Sequence, residues 1–355
     1  MVKGIMSFIT VDNLNVINVE LTNYCNAACP MCLRFDWDLN LVEGVTNTKH
    51  TTLKLIEEKI GKKIISKLKL FYSNGIVGDD IMNPECVQIF EFIKRNNNNN
   101  CGLVISTNGG ARNTDFWKEL AKIPVRVTFN IDGLQDTNHL YRRNVKWDRL
   151  IANVEAFISA GGKADWRYLI FKHNEHQIDE AKTLSKKLGF QSFASAYSER
   201  WIDFSSAGEF RDVNKIKVDD YYLEKPVQQP EKVGRYGSYK GSDYIDNEQW
   251  SEDIMEENII AKEDIMSKKI VCQSCSNGRY EILLHGNGDI SPCCMLGSPR
   301  IHEAKKLIKD YHKINLNDST LEEILNGEFF RELEKGIAGD NSRLQTCYSS
   351  CKVNA

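Results

Sequence analysis

The sequence predicts an α/β protein built on parallel strands, followed by a small cysteine-rich α+β region. Three observations carry that expectation. Short β-branched segments alternate with stretches whose apolar residues recur at helical spacing, six strands between Asn15 and Tyr197. Strands separated by helices pair in parallel, because the helix returns the chain to the end from which it started. Gly, Asp and Asn gather just after those strands, where parallel α/β folds collect ligands. Finally, the eleven cysteines are grouped: three at 25–32, four at 272–294 and two at 347 and 351, with Cys86 and Cys101 alone.

Asn15–Leu21 alternates β-branched and polar residues and is the first strand; a loop with Cys25, Cys29 and Cys32 follows it. Leu53–Leu68 has apolar residues on one face and lysines on the other, the pattern of a helix. Lys69–Ser73 is a second strand that runs into the Gly/Asp-rich turn Gly75–Asp80, and Cys86–Lys94 is a second helix. The polar run Asn96–Asn100 is a loop. Leu103–Ser106 is a third strand ending in Thr107-Asn108-Gly109-Gly110, followed by a short helix over Asp115–Ala121. Val125–Ile131 is a fourth strand ending at Asp132-Gly133, and Trp147–Ala160 a helix stopped by Gly161-Gly162. Trp166–Phe171, a helix over Gln177–Leu188 and a strand over Phe190–Tyr197 complete the repeat.

Positions 200–268 change character, with many charged residues, Tyr and Gly, and little periodicity before Glu257–Met266. They read as a linker or insert, either a lid or a solvated loop. Beyond them, Tyr280–His285 and a strand beginning at Ile290 flank Gly286-Asn287-Gly288-Asp289, a hairpin, and Leu321–Ala338 is a helix. The expected domains are therefore 1–199, an insert over 200–268, and 269–355.

Three thiolates on one short loop suit a cubane iron–sulfur cluster with one iron left open, since clusters held wholly by protein take four cysteines. An odd cysteine total in tight local groups argues against a disulfide framework and for ligation in a reducing compartment. A structural zinc site is the alternative, but zinc sites pair cysteines as CxxC knuckles with four ligands. Cys86 and Cys101 read as buried small apolar residues.

Cys25-x3-Cys29-x2-Cys32 after a first strand resembles the signature of radical S-adenosylmethionine (radical SAM) enzymes, with Met31 where an aromatic residue is usual. The resemblance implies a partial (β/α)6 barrel, a [4Fe-4S] cluster on Cys25, Cys29 and Cys32, and S-adenosyl-L-methionine chelated to the open iron. It also implies roles along the strand ends. Gly78 and Asp79 match the family's Gly-Gly-Glu-like turn that takes the cofactor's ammonium group, with Asp a methylene shorter. Ser106, Thr107 and Asn108 resemble the ribose-side segment. Asn130 and Asp132, followed by His139 and Arg143, resemble an S-x-D-G…H-x3-R stretch in which Arg143 would clamp the cofactor's carboxylate. Asp165, Arg167, Lys172 and His173 are further candidates for lining the cavity, each equally readable as scaffold.

Cys272-x2-Cys275 ahead of the hairpin and Cys293-Cys294 behind it resemble the SPASM or twitch extension that holds auxiliary clusters. Six cysteines are present where one cubane needs four, and the expectation is the shorter, single-cluster version. The ligands are Cys275, Cys293, Cys347 and Cys351, or a set with Cys272 in place of one of them; Cys294 points away if the segment is extended. A CxxC with a later cysteine pair is also a zinc-ribbon pattern.

The 355 residues carry a net charge of −3 and a mean hydropathy of −0.42, with no apolar run long enough to span a bilayer. Neither nucleic-acid nor membrane binding is implied, the first ten residues lack a secretory core, and a cytoplasmic protein is expected. The resemblance implies reductive cleavage of S-adenosylmethionine, hydrogen abstraction from a substrate, and an external electron donor such as flavodoxin or ferredoxin. Related enzymes oxidise sugar alcohols or modify peptides. No peptide-binding domain precedes the repeat, which favours a small molecule or a peptide delivered by a partner. The readings from other classes are a zinc-stabilised binding protein and a cluster protein that only transfers electrons.

Overall fold

The computed structural model describes residues 8–36, 39–42, 45, 49–98, 100–198, 201–204, 210–212, 214–227, 270–271, 278–293, 296–297, 311–338 and 352–353. In chain order the elements begin with β1 (Val16–Val19), α1 (Leu53–Leu55), α2 (Lys62–Ile65), β2 (Leu70–Ser73), α3 (Cys86–Asn96) and β3 (Gly102–Thr107). They continue with α4 (Thr114–Leu120), β4 (Val125–Asn130), α5 (Asn138–Tyr141), α6 (Trp147–Ser159), β5 (Lys163–Ile170), α7 (Ile178–Leu188) and β6 (Ser192–Tyr197). Four short strands follow, β7 (Ile202–Phe204), β8 (Phe210–Asp212), β9 (Lys215–Val218) and β10 (Tyr221–Glu224). The last elements are β11 (Ile270–Val271), β12 (Glu281–Leu284), β13 (Ile290–Ser291), α8 (Leu321–Leu325), α9 (Glu328–Ala338) and β14 (Lys352–Val353).

The chain divides into two compact units that do not follow chain order: residues 1–24, 43–104 and 250–355 form one, and residues 25–42 and 105–249 the other. In the first unit β1 lies between β2 and β12, parallel to both, and β13 pairs antiparallel with β12. Ile17, Leu283 and Leu284 are fully buried there, so this part of the sheet is covered on both faces, as parallel sheets are. The hairpin expected after residue 280 is present, but its first strand also joins β1, a pairing 265 residues apart that local pattern cannot reveal (Val16 opposite Glu281).

In the second unit β4, β5 and β6 are parallel neighbours, with Phe129 opposite Trp166 and Trp166 opposite Phe193. Trp117, Phe129 and Phe157 are fully buried and pack edge-on or tilted against one another, which ties α4 and α6 to β4, while the buried Trp166 packs against Phe190 and Phe193. Asn113 caps α4 through the Phe116 N–H, and Gly189 ends α7 in the left-handed conformation that its sequence position anticipates.

Two expected helices are broken. Leu53–Leu68 forms α1, a π-helical turn over Ile56–Ile60 and α2, because Gly61 has φ +78° and leaves the helical path. Leu321–Ala338 forms α8 and α9, divided where Asn326 caps the first and Gly327 turns the chain. Among the described residues of the insert, β7 pairs with β8 and β9 with β10, all within the second unit. Among the described residues no helix is long and apolar enough to cross a membrane.

Candidate metal and cofactor centre

The cysteine loop belongs to the second unit, and its backbone is tied down at several points. Cys32 N–H donates to the Cys29 carbonyl (3.0 Å) and Phe35 N–H to that of Cys32 (3.1 Å), which closes successive turns. Ala28 N–H, in the middle of the loop, donates to the Arg143 carbonyl (3.1 Å). Cys29 is buried, and Cys25 and Cys32 are half-buried. Met31 is buried at 4% exposure, so the residue standing where an aromatic is usual packs inward.

The sulfurs of Cys25 and Cys29 face nitrogen donors. Asn108 Nδ2 lies 3.6 Å from Cys25 Sγ and 2.9 Å from Asn26 Oδ1, while its own Oδ1 accepts from Gly110 N–H. Arg142 directs a guanidinium N–H at Cys29 Sγ, also at 3.6 Å. Asp132, with no exposed surface, holds that guanidinium through Nε at 2.6 Å, and its other oxygen accepts from Leu169 N–H at 2.6 Å. Burial opposes the charge on Arg142, but Asp132, Cys29 and Tyr141 together outweigh it and raise the Arg142 pKa further. Burial pushes the Cys29 thiol up to about 11 against the lowering effect of Arg142, so a metal must displace its proton on binding.

The donor set suits a cubane cluster. The side chains on offer are thiols alone, and N–H···S contacts of the kind seen here tune thiolate-held clusters. Among the described residues no three His, Cys, Asp or Glu side chains converge on one point as single-ion ligands do.

The other residues singled out in the sequence divide between the units. Asn130 Nδ2 donates to Ser106 Oγ (2.8 Å) and to the Thr107 carbonyl (3.2 Å), and Thr107 Oγ1 accepts from Gly109 N–H, so this pair of strand ends forms one polar cluster in the second unit. Arg143 pairs with Asp219, and His139 is exposed. Asp165 is fixed by Arg126 and Ser192, Lys172 pairs with Glu224 at the surface, and His173 stacks on Phe171, with burial lowering it to about 4. Arg142, which contacts the cysteine loop, was not singled out; its signal was the adjacent-arginine pair Arg142-Arg143.

Gly78 and Asp79 lie in the first unit, on a turn stapled to Leu21–Tyr24, the residues just before Cys25 in the chain. A Cβ on Gly78 would sit 1.8 Å from the Thr22 carbonyl oxygen, so only glycine fits that approach. Asp79 N–H donates to the Tyr24 carbonyl (2.9 Å), and its side chain is buried. Glu20, missed in the sequence because it sits in a β-branched strand, is fully buried and accepts from Ile76 and Val77 N–H. Asp80 Oδ1 accepts from Leu21 N–H at 2.7 Å.

Burial pushes the Asp80 carboxyl up to about 8. A free aspartate titrates near 3.9, so folding favours the protonated form, and the stability it contributes is full below about pH 4 and lost as pH rises through about 8. Asp80→Asn keeps an acceptor for Leu21 N–H and removes the ionisation. Its melting temperature is expected to gain on the parent between about pH 4 and pH 8 and to level off above that; a gap that does not widen over that window would contradict the buried neutral acid.

In the C-terminal region Cys293 is the one cluster candidate among the described residues. Leu296 N–H points at its sulfur (3.5 Å) and Gly297 N–H donates to its carbonyl (3.0 Å), a tight turn around a thiol. Gly288 has φ +92° at the hairpin turn, and a Cβ there would meet Asn317 and Asn315. Cys272, Cys275, Cys294, Cys347 and Cys351 lie outside the described residues. β11 and β14 pair with Val271 opposite Lys352, the immediate sequence neighbours of Cys272 and Cys351.

Residues 19–184 match the model of the radical SAM superfamily, and residues 275–352 match that of an iron–sulfur cluster-binding domain, SPASM. Similar solved structures include Streptococcus suis SuiB bound to S-adenosylmethionine, with TM-score 0.57 and 15% identity over 95% of this chain and 70% of that one. SuiB bound to its precursor peptide SuiA gives 0.57 and 15% over 95% and 69%. anSMEcpe with bound AdoMet gives 0.52 and 11% over 95% and 85%. At these identities the likeness shows a shared fold, an α/β radical SAM fold with a smaller C-terminal domain. A search of the curated proteins found no match.

Proposed function

We infer, of a chain that belongs to the radical SAM superfamily and carries a SPASM iron–sulfur domain, that it is an enzyme modifying a peptide by hydrogen abstraction. The reduced cluster, when bound, supplies the electron that splits S-adenosylmethionine into methionine and a 5′-deoxyadenosyl radical, which takes the hydrogen from the substrate. The observation that carries this reading is the three-thiol loop with Asn108 and Arg142 directed at two of its sulfurs. Peptide as the substrate class draws support from the similarly folded SuiB bound to SuiA and anSMEcpe bound to the Cp18Cys peptide.

Cys25, Cys29 and Cys32 would hold the first cluster. Gly78 and Asp79 would receive the cofactor's ammonium group, and Ser106, Thr107, Asn108 and Asn130 its ribose. For the carboxylate the candidates are Arg143 and, nearer the loop, Arg142. Asp132 orients Arg142 and keeps it charged in a buried setting, which preserves an anion-binding group where water is scarce. Cys293 would join Cys275, Cys347 and Cys351, or Cys272 in place of one of them, around an auxiliary cluster. Electrons would come from a flavodoxin or ferredoxin, in a reducing compartment such as the cytoplasm.

Anaerobic reconstitution tests this directly. The chain should bind about eight irons, two cubanes, and form 5′-deoxyadenosine with dithionite and S-adenosylmethionine. A colourless, zinc-loaded chain would leave a binding protein; iron without 5′-deoxyadenosine would leave an electron carrier.

A further inference from the structure

The second unit contains a piece of structure that the radical SAM reading does not use, the β9–β10 hairpin of the insert. It is a built element rather than a solvated loop. Cross-strand partners Ile216 and Leu223, and Val218 and Tyr221, share one face. Ile216, Val218 and Leu223 are buried at 5%, 0% and 0% exposure, while Lys215, Lys217 and Tyr222 on the other face are exposed. The alternation is that of a strand pair docked on a core. Lys215 lies over the Tyr222 ring at 4.5 Å and stiffens the outer face. At the tip, Asp219 adopts φ +48°, a conformation Asp tolerates better than most residues.

What the hairpin holds is the segment that addresses the cysteine loop. The Tyr221 hydroxyl donates to the Leu140 carbonyl, and the Asp219 carboxylate pairs with the Arg143 guanidinium. Between those two grips lies Arg142, directed at Cys29, and the Arg143 carbonyl receives Ala28 N–H from the middle of the loop. At its far end β10 is anchored as well: Lys172 N–H donates to the Glu224 carbonyl (3.2 Å), and Val227 N–H to Glu175 Oε2 (2.8 Å). So the hairpin is fixed at both ends, and its tip bears on residues 140–143, the segment that also contacts the cysteine loop: Asp219 and Tyr221 hold Arg143 and Leu140, while Arg142 and Arg143 meet Cys29 and Ala28.

We propose that Tyr221 and Asp219 are positioning residues for the cluster loop, holding segment 140–143 so that Ala28 and Cys29 keep their places before any metal arrives. The proposal rests on the cysteine loop being the first cluster's site. Its consequence is that the loop is preorganised by the insert, and that weakening the two grips loosens the thiols while the rest of the fold stands.

The test uses the full-length chain prepared without iron. Thiols are labelled with iodoacetamide, and labelling is followed residue by residue by mass spectrometry. In the Tyr221→Phe, Asp219→Asn double variant, labelling of Cys29 should rise about tenfold, the scale on which losing a hydrogen bond and an ion pair shifts local opening. Cys101, buried at 5% exposure in the other unit, should be unchanged. Asp219→Glu, which keeps the charge, should stay within about twofold of the parent. After reconstitution, the double variant should also show an altered electron paramagnetic resonance signal from its reduced first cluster. Unchanged labelling of Cys29 overturns the proposal, and so does a rise that Cys101 shares, because that is general loosening. A parent chain that does not cleave S-adenosylmethionine would sink the proposed reaction and leave the thiol result standing; unchanged thiols in an active parent would sink the positioning role alone.

Discussion

Replacing Cys29 by alanine is expected to abolish 5′-deoxyadenosine formation and to halve the iron of the reconstituted chain, from about eight to about four per chain. Of the three loop thiols, Cys29 is the buried one and the one that Arg142 addresses. A cubane that already leaves one iron open cannot lose a second thiolate and stay seated, whereas cysteines beyond residue 271 would retain the auxiliary iron. Cys86→Ala and Cys101→Ala supply the comparison, because both side chains are buried in the other unit, away from any ligand role. They should keep full iron and full turnover. Iron and sulfide analysis beside the cleavage assay decides it. Full iron in Cys29→Ala would remove the loop from the metal site altogether.

Asp132→Ala should be the most destabilising single change near the site, by about 3–5 kcal/mol, because it leaves the Arg142 charge buried without its partner. Asp132 has no exposed side-chain surface and Arg142 keeps only 15%. The loss exceeds that of any surface pair, such as Lys54 with Glu58, whose removal should change stability by less than about 1 kcal/mol. The double variant Asp132→Ala, Arg142→Met removes the stranded charge as well and should recover much of the stability, yet not the iron chemistry that needs a donor at Cys29. Denaturant unfolding of all three chains measures the first effect, and iron loading the second. If Asp132→Ala unfolds no more easily than the surface variant, the buried pair is not what holds segment 132–142.

Several features of the centre were legible because their parts are close together in sequence. The cysteine loop spans eight residues, so the expectation of a cluster there comes from spacing alone and needs no tertiary information. The strand–helix alternation is equally local, since burial of a helix stripe or a strand face repeats at a fixed period. The breaks at Gly61 and Gly327 were visible as glycines, but whether a glycine ends a helix or is tolerated within it depends on what the next turn packs against.

The choice between Arg142 and Arg143 was not legible. Adjacent residues near a helix end point roughly 100° apart, and only the setting of the short α5 turns Arg142 toward Asp132 and Cys29 and Arg143 toward Asp219. The same holds for the insert. Its Lys-Ile-Lys-Val and Tyr-Tyr-Leu-Glu segments are too short to stand out as strands in a stretch of weak periodicity, and the grips on Leu140 and Arg143 join residues about eighty positions apart, where many surface charges could have made such a pair.

By itself, then, the chain's order of residues determined the chemistry on offer: three clustered thiols, polar strand ends, and a second cysteine group behind a hairpin. Tertiary structure alone decided which arginine meets a thiol, that β12 joins β1, and that the insert bears on the segment beside the loop. The physical reason is range. Periodicity and ligand spacing are set by backbone geometry over a few residues, whereas partners across the fold are selected by burial and charge once distant segments have been brought together.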